Sequence, residues 1–428
     1  MRTRHLLCVG LGLQVVTGCT SEPVPATTEP LDASSSQDAA PDAADSGDSS
    51  DAVDAFDASS CVDRVSSLFA ERFGFGAQTT GGLGGQFTRI TSLTDGSLLA
   101  ALTDEKARWI YFDPALNGET WLVPEGSVAL GPNKTIDGRG ADITWQYGYP
   151  NNNLGINSPP VTTPPKNGQL NAQHGNLIMT GIRHVGDLGW PYTYESPYFS
   201  NGATDGLEIW SGKNYWIHKN TWSRMSDESL GIYHLKDADP DNITFSHNLF
   251  IETKTASLIG ANGIQATKAH VTIAFNDYRE MVNGRAPGEF RNVFAHVFNN
   301  VVNYVNDDGV RVAEGASVYT QFNYLNLGCN PGVSGPRFAL GVLDPNPALG
   351  ETGVLYSDGD IVPAEVATCS FTTNSGYSSP PSEPPFPVPT DAAYRNYTLL
   401  TGTGPELDAF VTANSGANGA ATTVYCDP

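Results

Sequence analysis

The chain has 428 residues, with 23 Lys and Arg against 46 Asp and Glu, 39% hydrophobic and 16% charged residues. So few charges exclude a coiled coil or a long solvated helical array, and a net charge of −23 argues against nucleic acid as a partner. The 45 Gly and 29 Pro stand above the ordinary share and below the low-complexity range, which predicts a folded, loop-rich, β-dominated protein.

Residues 1–19 read as an export signal: Arg2 and Arg4 precede a short apolar run, Leu6 to Val16, that cannot span a bilayer. Its ending, Val16-Thr17-Gly18-Cys19, resembles a bacterial lipobox. That implies lipidation of Cys19 and a protein held at the outer membrane or cell surface, with plain secretion as the alternative. A membrane is therefore expected as a partner only through that anchor. Residues 20–60 carry ten acids and no Lys or Arg among Ala, Ser, Thr and Pro, and are expected to be a disordered, solvated linker. Residues 61–428, the remaining domain, hold 21 basic against 36 acidic residues. An acidic body that acts on an acidic polymer needs local cations, from clustered Lys and Arg or from a bound metal. Four cysteines lie in this part: Cys61, Cys329, Cys369 and Cys426. An even count in an exported chain predicts two disulfides among three pairings, with Cys61 and Cys426 as candidates for clamping the two ends.

From Tyr215 a unit recurs in which apolar or aromatic residues at alternate positions lead to an Asn. It reads YWIHKNTW, ITFSHNLF, VTIAFNDY, FAHVFNNVV and VYTQFNYL, with matched Asn220, Asn248, Asn276, Asn299 and Asn323 at steps of 28, 28, 23 and 24 residues. A fixed period in this range signals a solenoid. Each unit holds a short strand and a turn, with no helical period between units, so the expected fold is all-β, a right-handed parallel β-helix. Asn suits the turn because it tolerates left-handed backbone and its amide can bond to the Asn one rung away. Residues 236–241, 309–317 and 340–368 are expected to be loops that protrude from the coils.

Between Phe73 and Leu327 the chain resembles the pectate lyase family of parallel β-helices, polysaccharide lyase family one. The resemblance rests on GFGAQTTGGLGGQFTRITSLTDGSLLAAL (Gly74 to Leu102), on PNKTIDGRGADI (Pro132 to Ile143) and on three later segments. Asp205 stands eleven residues before Trp216, as in the family, although WIHK replaces its W-I-D-H. Asp227-Glu228-Ser229-Leu230-Gly231 falls where the family has D-G-x-x-D, so Gly231 stands in for a carboxylate. Lys254 begins a segment similar to K-t-x-L-i-G, and Arg285-Ala286-Pro287, Arg291 and His296 follow R-x-P-x-x-R…H-V-x-N-N with one residue inserted.

The resemblance implies an enzyme, a pectate lyase that cleaves α-1,4-galacturonan by β-elimination with Ca²⁺. Arg285 would be the catalytic base, Lys254 and Arg291 would bind substrate, and Asp205 and Asp227 would hold the metal. Glu228, Glu208, an Asp from residues 236–241 or water would supply the ligand missing at Gly231. Calcium suits oxygen ligands on flexible loops. If the coils stack, groups one rung apart lie within about 5 Å, and Asp205, Asp227, Lys254 and Arg285 fall on one stripe. His296 reads as a rung-packing histidine, and the roles of His218 and Lys219 stay open. The expected partner is pectate or pectin, with the protein a monomer. Two other readings remain: a metal-independent lyase of methylated pectin, and a non-catalytic carbohydrate-binding β-helix. A glycoside hydrolase needs an acid–base carboxylate pair that the sequence does not offer.

Overall fold

The computed structural model describes residues 61–124, 126–147, 169–186, 205–233, 240–261, 268–281, 285–305, 308–327, 338–342, 352–363, 372–375, 382–417 and 423–427. The signal, Cys19, the linker, Cys329, Cys369 and residues 236–239 lie outside them.

Short strands, three to seven residues long, are forced by the repeat itself: period-two runs such as Tyr215-Trp216-Ile217-His218 alternate one buried apolar residue with one outward residue, then meet a turn. The described strands form three sheets of ten, nine and eight members, and every pairing is parallel. The chain visits the sheets in rotation, as in Lys213–His218, Thr221–Ser223 and Glu228–Tyr233, before it returns one rung on at Asp241–Ser246. This is the expected parallel β-helix.

The rungs are held in register by what points inward. In the ten-stranded sheet Tyr215, Ile243, Val271, Ala295, Val318 and Leu355 stack in line, all buried. In the eight-stranded sheet the line is aromatic: Trp121, Trp145, His184, Trp222, Phe250 and Tyr278. His184 lies flat on Trp222, ring centroids 3.7 Å apart. Such stacking adds to the area burial that holds parallel strands together.

The Asn ladder differs from the expected one by a single position. It runs Asn220, Asn248, Asn276, Asn300, Asn323, each amide bonded to the next, and ends on the half-buried carboxylate of Asp360. Asn300, not Asn299, continues it, so the steps are 28, 28, 24 and 23 residues. The left-handed residue of each turn is the one before the ladder Asn: Lys219, His247, Phe275, Asn299 and Phe322, with φ between 49° and 56°. The ladder Asn is selected for its buried hydrogen bonds, and its neighbour bears the backbone strain.

Two expected loops are partly strands. Val310–Ala313 and Val354–Asp358 each add to a sheet, the first in the nine-stranded one and the second in the ten-stranded one. The alternation in VRVA and VLYS is too short to read against the glycines and acids around it. Outside the coils, the outer side of the ten-stranded sheet is covered by residues from both chain ends. Gly76 N–H donates to Thr244 Oγ1 at 2.8 Å and Gly82 N–H to Thr135 Oγ1 at 2.9 Å. Gly82 approaches so closely that a Cβ there would lie 1.9 Å from the Arg108 carbonyl oxygen, which explains the glycine-rich segment as a packing device. Cys61 and Cys426 form a disulfide, and Val62 bridges to Tyr425 beside it. With that face covered, the outer side of the nine-stranded sheet carries the exposed chemistry.

Candidate active site

In the nine-stranded sheet, Leu207, Leu230, Ile259, Phe290 and Val312 point into the core. The alternate residues Glu208, Gly231, Leu258, Glu289 and Arg311 therefore stand outward in one row, in register across successive coils. Asp205, Asp227, Lys254 and Arg285 each lie in the turn that enters one of these strands, on four consecutive coils. The structure thus places them along a single face.

At one end sit the carboxylates. Ligand oxygens of Asp205, Asp227 and Glu228 lie within 4.8 Å of one another, and the Glu228 N–H donates to Asp205 Oδ1 at 3.2 Å. Burial, then the charges of Asp227 and Asp205, push the Glu228 carboxyl up to about 9. Burial and Asp227 also raise Asp205. Lys254 Nζ pairs with Asp227 Oδ1 at 3.0 Å. Crowded, half-buried carboxylates with raised proton affinity form a site that a hard cation would relieve.

Of the proposed replacements for the carboxylate absent at Gly231, Glu228 joins the cluster directly. Glu208 is buried, accepts from Trp210 Nε1 at 2.9 Å and from Gln169, and also interacts with Asp205. Asp241 lies elsewhere, on the ten-stranded sheet, bonded to His270 at 3.0 Å. Gly231 itself is capped by an aromatic ring: a Cβ there would lie 2.5 Å from Tyr233 Cε2, and Tyr233 stacks on Trp210 with centroids 4.9 Å apart. The space a family aspartate would use is taken by Tyr233.

At the other end sit the arginines. Arg285 and Arg291 both pair with Glu289, and Arg311 Nε lies 3.4 Å from the same carboxylate. Glu289 and Arg311 escaped the sequence reading. The signal for Glu289 was its place two residues before Arg291 in a strand, which puts both on the same side.

The altered WIHK segment lies on the covered ten-stranded sheet, away from this row. His218 bonds Ser246 Oγ at 2.9 Å and Glu71 at 2.9 Å, Lys219 also pairs with Glu71, and burial lowers the imidazole to about 4. Serine, histidine and acid stand in line here, but Ser246 is fully buried, so the group acts as a tie for the N-terminal segment. His296 is on that sheet too, bonded to Tyr394 and Gln321.

Residues 172–334 match the pectate lyase family. A pectin lyase of Bacillus subtilis is 29% identical over 60% of this chain and 66% of its own length. A pectate lyase of Juniperus ashei is 29% identical over 53% of this chain and 59% of its own, and a probable pectate lyase of Arabidopsis thaliana 28% over 53% and 46%. The chain is similar to pectate and pectin lyases. It spans between about half and two thirds of the length of these curated relatives. In fold, the major allergen of cedar pollen superposes with a TM-score of 0.57 at 21% identity, over 80% of this chain and 92% of that one. The matched residues 172–334 contain both the carboxylate cluster and the arginine cluster.

Proposed function

We propose that the chain is a polysaccharide lyase that cleaves the α-1,4-galacturonan backbone of pectate by calcium-assisted β-elimination. The observation that carries this reading is the order of groups along one outward face: three carboxylates, then Lys254, then Arg285 and Arg291. That order suits a polymer with a carboxylate on every residue.

Asp205, Asp227 and Glu228 would hold the calcium, with Glu208 behind them; all donors are oxygens, and the raised proton affinity of Glu228 and Asp205 marks charge in need of a counter-ion. Calcium bound there supplies positive charge that neutralises a galacturonate carboxylate and so acidifies its C5 proton. Lys254 and Arg291 hold uronate carboxylates, Arg291 with the planar fork that suits them. With one guanidinium proton first passed to solvent, Arg285 takes the base's part: it receives the C5 proton, the C5–H electron pair becomes the C4=C5 double bond, and the C4–O4 bond breaks. The leaving O4 takes a proton from water, and the new chain end is unsaturated. A guanidinium in water holds its proton, and the Arg285→Ala variant below tests this role.

The ring over Gly231 and the Bacillus subtilis pectin lyase among the relatives favour methylated pectin as a second reading. One experiment separates them. The purified protein is given polygalacturonate or methylated pectin, with and without chelator, and ultraviolet absorbance of unsaturated ends is followed. Turnover of polygalacturonate that chelator stops, and that Arg285→Ala abolishes in a folded protein, supports the proposal. Turnover of methylated pectin that chelator leaves intact would favour the second reading; polymer bound without product points to a binding protein.

A further inference from the structure

The geometry points to Glu289 as the positioning residue of this site, a buried anion that gathers Arg285, Arg291 and Arg311 and sets where their guanidinium groups stand over the polymer. The proposal rests on the lyase reading above. Phe290 is buried in the core, so Glu289 and Arg291 flank it on the outward side of the strand Gly288–Arg291. Arg285 reaches the same carboxylate from the turn four residues earlier, and Arg311 stands opposite Glu289 on the next coil. The Glu289 side chain is 1% exposed, whereas those of Arg285, Arg291 and Arg311 are 28%, 30% and 23% exposed. An incoming polymer therefore meets three guanidinium tips and not the anion beneath them.

The cluster has further anchors: Arg311 Nη1 lies 3.3 Å from Asp308, and Arg291 Nη1 3.9 Å from Glu314. Among the ion pairs of the described residues, Glu289 is the carboxylate shared by all three arginines. Long arginine side chains lose rotamer freedom when they are fixed, and three adjacent cations repel. A common buried carboxylate meets both costs during folding, before substrate arrives, which is how a site is preorganised.

The test compares Glu289→Ala and Glu289→Gln with the wild type on polygalacturonate, with kcat and KM measured separately and melting temperature as the measure of folding. The expected result is a folded E289A protein whose kcat falls about a hundredfold, the scale of a misplaced catalytic group, with E289Q recovering about tenfold of that through its amide oxygen and staying about tenfold below wild type. Wild-type kcat in folded E289A, or losses in both variants that track only the unfolded fraction, overturns the proposal and leaves the lyase reading standing. If E289A does not fold, E289Q decides alone: a tenfold fall in kcat supports the proposal and wild-type kcat overturns it. A wild-type protein that yields no unsaturated product overturns the lyase reading and this inference with it.

Discussion

At Gly231 a single ring decides what the carboxylate cluster can become. An aspartate there would add a fourth acid to the cluster of Asp205, Asp227 and Glu228, next to Glu208, but its Cβ would meet Tyr233 Cε2 at 2.5 Å, and Tyr233 is held by its stack on Trp210. Overpacking of this kind costs about 1–3 kcal/mol. Gly231→Asp alone is therefore expected to lower the melting temperature without tighter calcium binding. Gly231→Asp with Tyr233→Ala should regain stability and bind calcium more tightly than Tyr233→Ala alone. Calorimetric titration and thermal unfolding check this; a single G231D variant that is stable and binds better would refute the packing argument. The residues on this face are legible in the sequence where a segment resembles the pectate lyase motifs: Asp205, Asp227, Lys254, Arg285 and Arg291 all lie in such segments. Tyr233, Glu289 and Arg311 are not legible in this way, because each matters through a neighbour on another coil or a ring folded back over a glycine. A one-dimensional pattern does not carry such contacts.

The Asn ladder shows the same limit at the scale of elements. Its existence and period follow from the sequence, yet the doublet Asn299-Asn300 leaves the register open by one. Asn299 has the φ of 51° and bonds to the Leu400 backbone, while Asn300 faces inward and continues the stack. Both are fully buried, so only the direction of the side chain, toward Leu400 for Asn299 and along the stack to Asn323 for Asn300, tells the two apart. The stack also fixes what a deletion should cost. Asn276 Oδ1 accepts from the backbone N–H and the amide of Asn248, and its own amide donates to the Phe245 carbonyl and to Asn300. All of these groups are buried, and each orphan costs about 1–3 kcal/mol. Asn276→Ala is expected to lose roughly 3 kcal/mol or more in urea unfolding. A loss under about 1 kcal/mol would mean that water replaces the amide inside the coil.

Across the whole molecule, three histidines buried on different coils tie stability to pH. His184, His218 and His296 are almost fully buried, and burial lowers all three: His218 and His296 to about 4, His184 well below its ordinary value. A proton that the unfolded chain accepts near pH 6.5 is refused by the folded one, so this contribution is intact above about 6.5 and declines as pH falls toward about 4. Each histidine contributes a slope of about 1.4 kcal/mol per pH unit in that window. Glu228 acts in the opposite direction: raised to about 9, it takes up a proton in the folded state from there down to its unfolded value of 4.5, and so stabilises on acidification. His247 is lowered by burial as well, and Asp205, Asp277 and Asp360 are raised as Glu228 is, so histidines and acids pull against one another and a single histidine is best read by difference. Below about pH 4 the ion-paired acids Glu71, Asp104 and Asp137, all held low, add to the loss. His184 offers the cleanest dissection, since it stacks on Trp222 inside the coil and bonds only Tyr147, at 2.8 Å among the described residues. The double variant Tyr147→Phe with His184→Phe keeps two rings in that space and leaves no orphan hydroxyl. Measured from pH 8 to pH 4.5, the stability of the double variant should lose less on acidification than that of the wild type, by about one proton's worth. Parallel pH profiles would show that His184 already takes its proton in the folded coil.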